Sequence, residues 1–286
     1  MFERIVVGFD ESEGSRDALA LGKALAERLE AKLIVVGVVP SPIGGSLMPA
    51  LPANAFTNLA DQARKGVEAA ASELGAEARI VEASSAARGL EEMTEQMEGD
   101  LLVLGCAGTD EGTVRAGHKA RVLMQGSPCA VALAPVGYRN SDSQLGRIGA
   151  AIDGSPESGH ALEIAVEITG RGTVRLLSVV TDFADAWGFW GATYALSELA
   201  EASKEATEKI LDQAATSLPE NVKAEKVLLD GIASVQIREH SADLDLLCVG
   251  SRGYGPVRRV LLGSVSSDLL RKVACPVVVV PRGTTG

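Results

Sequence analysis

Residues 250 to 266, GSRGYGPVRRVLLGSVS, gather more phosphate-holding groups than any other stretch of the chain. Gly250 and Gly253 can turn the backbone so that it presents bare amides, and Gly263-Ser264 can open a helix whose N-terminus favours an anion. Ser264 and Ser266 add hydroxyl donors, while Arg252, Arg258 and Arg259 bring three positive charges and no acid. The formal net charge of the 286-residue chain is −11. Long-range attraction to nucleic acid or an anionic membrane is thereby excluded, and a phosphate site must supply its own positive charge. The plain alternative is a glycine-rich turn whose arginines are merely solvated.

Other chemistries find little support. Cys106, Cys129, Cys248 and Cys275 stand singly, without Cys-x-x-Cys spacing, in or beside apolar runs where a thiol behaves as a small hydrophobe. His118, His160 and His240 are scattered, and solvated or capping positions are expected for them. No Gly-x-Ser-x-Gly elbow, specific carboxylate–histidine pairing or metal-ligand cluster can be assembled, so no catalytic residue or metal site is assigned.

The candidate loop must be positioned by flanking elements, and the chain supplies them twice. ERIVVGFDESEGSRDAL (3 to 19) is repeated as GRIGAAIDGSPESGHAL (146 to 162), GDLLVLG (99 to 105) as LDLLCVG (244 to 250), and PCAVALAP (128 to 135) as ACPVVVVP (274 to 281). Two domains follow, 1–137 and 146–283, joined by the polar stretch VGYRNSDSQLG (136 to 146). Apolar runs with the look of doubly covered strands alternate with segments of helical periodicity. In the first copy, strands are expected at 5–9, 32–39, 78–82, 100–104 and 129–134, and helices at 15–29, 58–74, 88–97 and 119–124. This alternation predicts a parallel, doubly wound α/β sheet in each half. Ligands of such sheets sit beyond the carboxyl ends of the strands, where the strand order reverses. Asp153, Val179 and the 250–266 loop fall there in the second copy. Asp153 could equally serve as a helix cap, since Asp-Gly-Ser before a helical run is ordinary capping chemistry.

The spacing Gly, two residues, Gly, nine residues, Gly-Ser, together with Asp153 and the closing PVVVVP strand, resembles the ATP-binding branch of the universal stress protein family, over nearly the whole chain as tandem domains. The resemblance implies five-stranded sheets of order 3-2-1-4-5, of the adenine nucleotide alpha hydrolase-like kind. It also implies ATP as ligand, with magnesium on its phosphates, Asp153 and Val179 at the adenine and ribose end, and Val249, Gly250, Gly253, Gly263, Ser264 and Val265 along the phosphates. Arg252 and Ser266 join this set from their chemistry, and Ala151 stands where the family carries a proline. The first copy departs: GCAGTDEGTVRAGHKAR (105 to 121) keeps Gly105 and Gly108, but Gly117 arrives one residue early and is followed by His118, while Asp110 and Glu111 offset Arg115 and Lys119. Weak or absent ATP binding is expected there, with Asp10, Val38, Gly105 and Gly108 as remnants of a site. GTVRAGHK (112 to 119) also misses the P-loop pattern, because His118 displaces the lysine and Ala120 stands where a magnesium-binding hydroxyl belongs.

Five of the ten aromatic residues, Phe183, Trp187, Phe189, Trp190 and Tyr194, crowd into one segment after the second strand of the second copy. A nucleotide lid and a packed or interfacial loop are both open readings. The equivalent 40–56 stretch is rich in proline and glycine and is expected to be a loop without base stacking. The final strands are candidates to pair across the domains as an intrachain pseudo-dimer, and a homodimer of chains is a further expectation. With no apolar run of about 18 residues, a cytoplasmic location is expected. The leading functional reading is an ATP-binding regulatory or sensor protein in stress response, answering to an unidentified protein partner. A slow ATP hydrolase or phosphotransferase and a nucleotide-free scaffold are its competitors.

Overall fold

A computed structural model describes residues 2–41, 53–106, 108, 112–141, 144–180, 193–251 and 263–281. The first half runs β1 (Arg4–Gly8), α1 (Glu13–Leu29), β2 (Lys32–Pro40), α2 (Ala53–Leu74), β3 (Glu77–Ala83), α3 (Ala86–Gln96), β4 (Leu101–Gly105), α4 (His118–Gly126) and β5 (Ala130–Ala134). The second half runs β6 (Ile148–Ala151), α5 (Pro156–Thr169), β7 (Gly172–Val180), α6 (Thr193–Thr216), β8 (Val222–Asp230), α7 (Ala233–His240), β9 (Leu246–Gly250), α8 (Ser264–Lys272) and β10 (Val277–Val280). Among the described residues, no helix is long and apolar enough to cross a membrane.

Local chemistry explains the element boundaries. Ser12 and Ser155 cap α1 and α5 by accepting from the Ser15 and Ser158 amides, each at 3.2 Å, and Pro156 opens α5 where its missing amide costs nothing. Glu30 in the left-handed region closes α1, and Gly170 closes α5. Strand interiors such as Ile5–Val7 and Leu246–Cys248 are fully buried because helices cover both faces of the sheet.

All ten strands form one sheet of order β3-β2-β1-β4-β5-β10-β9-β6-β7-β8. Each half is a parallel five-stranded unit of order 3-2-1-4-5. The two join where β5 and β10 pair antiparallel, in the register Val277↔Leu133, Val278↔Ala132 and Val279↔Val131. The expected intrachain pairing of the final strands is therefore present, and the outer edges fall instead to β3 and β8. Those edges carry Glu77, Arg79, Lys223 and Glu225, charges that discourage further strand addition. The hydrophobic core on each face runs across the junction: Ile5, Leu21 and Leu25 share one cluster with Ile148, Leu162 and Val278.

The polar stretch after β5 is fastened rather than loose. Buried Asp17 on α1 accepts from the amides of Gly137 (2.8 Å) and Arg139 (3.1 Å), while the ring-bearing Tyr138 between them is buried. Further ties cross between the halves. Arg28 donates from Nε to the Ile168 carbonyl at 2.7 Å and from Nη2 to that of Thr169, capping the end of α5. The amides of Val114 and Ala116 donate to the carbonyls of Val273 (2.7 Å) and Leu270 (2.9 Å), so the loop before α4 is held by the last turn of α8.

Removing the Asp17 carboxylate would leave two amides without their acceptor. Asp17→Ala is expected to lower the unfolding free energy by about 1–3 kcal/mol, read as a fall in urea midpoint without a change in slope.

Candidate functional site

In the second half β6 lies between β7 and β9, so the crossovers on its two sides leave in opposite directions and open a cleft beyond the strand ends. The cleft has a volume of about 280 Å³. Ala151, Asp153, Val179, Val249, Gly250, Gly263, Val265 and Ser266, distant in sequence, all line it. Arg252 and Gly253, with Arg258 and Arg259, lie outside the described residues, as do 181–192, which hold most of the aromatic segment. Ser264 is placed as the first residue of α8, with Gly263 as its N-cap.

Asp153 is not itself the helix cap. Its Oδ1 accepts from the Ser155 amide at 3.0 Å and from the Ser155 hydroxyl, and Ser155 then caps α5. The first half repeats this motif with Asp10, Ser12 and Ser15. The aspartate thus fixes the start of the helix while standing at the cleft.

Two of the expected residues also have a second role in the structure. Gly250 answers a packing need: a Cβ there would come within 2.7–2.8 Å of the backbone of Glu157, where the start of α5 crosses the end of β9. Gly105 is tighter still, its Cβ falling 1.8 Å from the Gly14 carbonyl oxygen. The Ser266 hydroxyl, expected to donate to a ligand, donates to the Gly263 carbonyl at 3.2 Å inside its own helix. Ser178 and Thr207 also line the cleft and were not singled out from sequence. Ser178 left a trace, a polar residue inside an apolar strand. Its buried hydroxyl donates to the Ile152 carbonyl at 2.7 Å, tying β7 to the turn that carries Asp153.

The matching cleft of the first half has a volume of about 650 Å³ and brings Asp10, Val38, Gly105, Gly108 and Gly117 together. At the positions of Ser251 and Ser266 it carries Cys106 and Ala120. Burial pushes the Cys106 thiol up to about 12, so it stays protonated.

All four cysteines are buried free thiols, and among the described residues no group of three or more histidine, cysteine or acidic side chains could hold a metal. His240 bonds the Gln236 carbonyl at 2.9 Å near the end of α7, a capping position as expected. His160 departs from that expectation, for its Nδ1 is buried without a hydrogen-bond partner.

Comparison with known proteins agrees with this architecture. The model of the universal stress protein family matches twice, over residues 1–135 and 145–281. A universal stress protein of Mycobacterium tuberculosis is 27% identical over 98% of this chain and 97% of its own length. A Bacillus subtilis universal stress protein is 30% identical over 46% of this chain and 95% of its own. Among solved structures, a universal stress protein from Archaeoglobus fulgidus superposes with a TM-score of 0.69 at 18% identity, covering 98% of each chain. A Pseudomonas aeruginosa protein titled as functionally unknown superposes at 0.65 and 16% identity, over 98% of this chain and 93% of its own. The chain belongs to the universal stress protein family, as two tandem domains in a single polypeptide.

Proposed function

We propose that the second domain binds ATP and that the protein works as a nucleotide-dependent regulator or sensor in stress response rather than as an efficient enzyme. The observation that carries this reading is the convergence of eight sequence-selected residues on one cleft at a topological switch point. The base and ribose would lie against Val179 and Asp153, and the phosphates toward the N-terminus of α8. There the first-turn amides and a rotated Ser266 hydroxyl can donate to them. Arg252, Gly253 and Ser264 belong to the same proposed set, with Arg258 and Arg259 beside them, and magnesium would accompany the nucleotide and offset its phosphate charge. The cytoplasm is the expected compartment, and a homodimer the expected assembly.

A route from binding to response is built into the helix that would hold the phosphates. Val265 and Ser266 of its first turn line the second-domain cleft, while Leu270 near its other end accepts from Ala116 of the first domain. Ala116 directly precedes Gly117, which lines the first-domain cleft. A shift of α8 on nucleotide binding would reach that loop, and a partner protein could read the change.

Calorimetric titration of the full chain with Mg·ATP tests the site. One ATP per chain is expected, with affinity reduced at least tenfold, about 1.4 kcal/mol, in Gly263→Asp and in Asp153→Ala. Equal affinity of these variants and the wild type would reject the assigned site. Saturating ATP should turn over more slowly than about one per minute, against the 1–10³ per second of ordinary enzymes. Hydrogen exchange supplies an independent test of the route: the Val114 and Ala116 amides are expected to exchange at least threefold more slowly with ATP bound. Unchanged exchange would remove α8 as the carrier of the signal.

A further inference from the structure

We propose that the first-domain cleft is a second binding site, for an uncharged and largely apolar ring compound rather than a nucleotide. The inference stands whether or not the second domain holds ATP. At about 650 Å³ the cleft falls well within the 300–1,000 Å³ range of small-molecule sites and is more than twice as large as its second-domain counterpart. Its walls include Val36, Val38, Leu90, Leu104, Ala120 and Leu123, contributed by β2, α3, β4 and α4. These side chains offer dispersion contacts and no charge.

The two clefts share their frame, but at two comparable positions the chemistry turns away from phosphate. Cys106 replaces Ser251, and Ala120 replaces Ser266 one turn into the helix that follows Gly117. No lysine or arginine is found among the described residues that line this cleft, whereas the carboxylates of Asp10 and Glu13 do line it. Glu13 is ion-paired with Arg139, and the hydrogen bond from that guanidinium holds its carboxyl below the usual range. Asp10 accepts from the Ser12 amide and hydroxyl at the start of α1. A triphosphate would face the Asp10 carboxylate with no cationic side chain among the described lining residues and no counterpart of the Ser266 hydroxyl, and would lose its hydration against aliphatic walls. A neutral planar compound meets neither cost and gains from every part of its apolar surface that it buries against these walls.

The test uses Nile red, an uncharged aromatic dye, titrated into the full chain with and without saturating Mg·ATP. Expected is a blue-shifted, saturable emission at one dye per chain that ATP does not displace. Val38→Trp, which fills the cleft, should weaken dye binding at least tenfold. The double variant Cys106→Ser/Ala120→Ser keeps the size of the walls while adding two hydroxyls, and should weaken it at least threefold even if the tryptophan variant fails to fold. Leu59→Ser and Ile232→Ser, which remove exposed apolar side chains elsewhere, should leave it unchanged. Absence of saturable binding by the wild type would overturn the proposal. So would loss of binding in the surface variants with retention in the double variant, or displacement of the dye by ATP with two nucleotides bound per chain.

Discussion

The antiparallel pairing of β5 with β10 is the constraint from which the rest of the molecule follows. Each half alone would leave its last strand with unpaired amides and carbonyls and its helices with uncovered apolar faces. Pairing Val277 to Val279 with Leu133 to Val131 closes both edges at once and merges the cores on each side of the sheet. It also sets where the halves touch elsewhere. Arg28 reaches the end of α5, and the loop before α4 reaches the end of α8, because the strand register brings them together.

Within that shared frame the two clefts have diverged by small substitutions. The frame itself is retained: an aspartate after the first strand, a capping serine two residues on, a glycine where strand and helix cross, and a glycine before the next helix. What differs is the lining. The cleft-lining hydroxyl at 266 becomes a methyl at 120, and the buried hydroxyl at 251, beside the cleft-lining Gly250, becomes a thiol at 106. A tandem protein can change one site in this way because the fold's stability rests on the sheet and its helices, while the residues just beyond the strand ends are spared that duty.

Most of the fold was legible because its determinants are local. Doubly covered strands appear as unbroken apolar runs, and helices as segments of helical periodicity. The repeat then doubled every inference, and the resemblance supplied the strand order. Features that arise only from tertiary approach could not be read. Gly250 lines the cleft, but that the backbone of Glu157, ninety-three residues earlier in the chain, also excludes a side chain there could not be foreseen. Asp17 gave no sign of clamping residues 137 and 139, since its partners lie 120 and 122 positions away. The inward turn of the Ser266 hydroxyl was likewise hidden, because a serine one turn into a helix can serve a ligand or its own backbone with the same sequence.

The central claim is that the second-domain cleft holds the triphosphate and the first does not. A crystal structure of the full chain grown with excess Mg·ATP tests it most directly. The account predicts nucleotide density only in the second domain, with the base beside Val179 and the phosphates at the first turn of α8. Nucleotide in the first-domain cleft, or an empty second-domain cleft at saturating ATP, would contradict it.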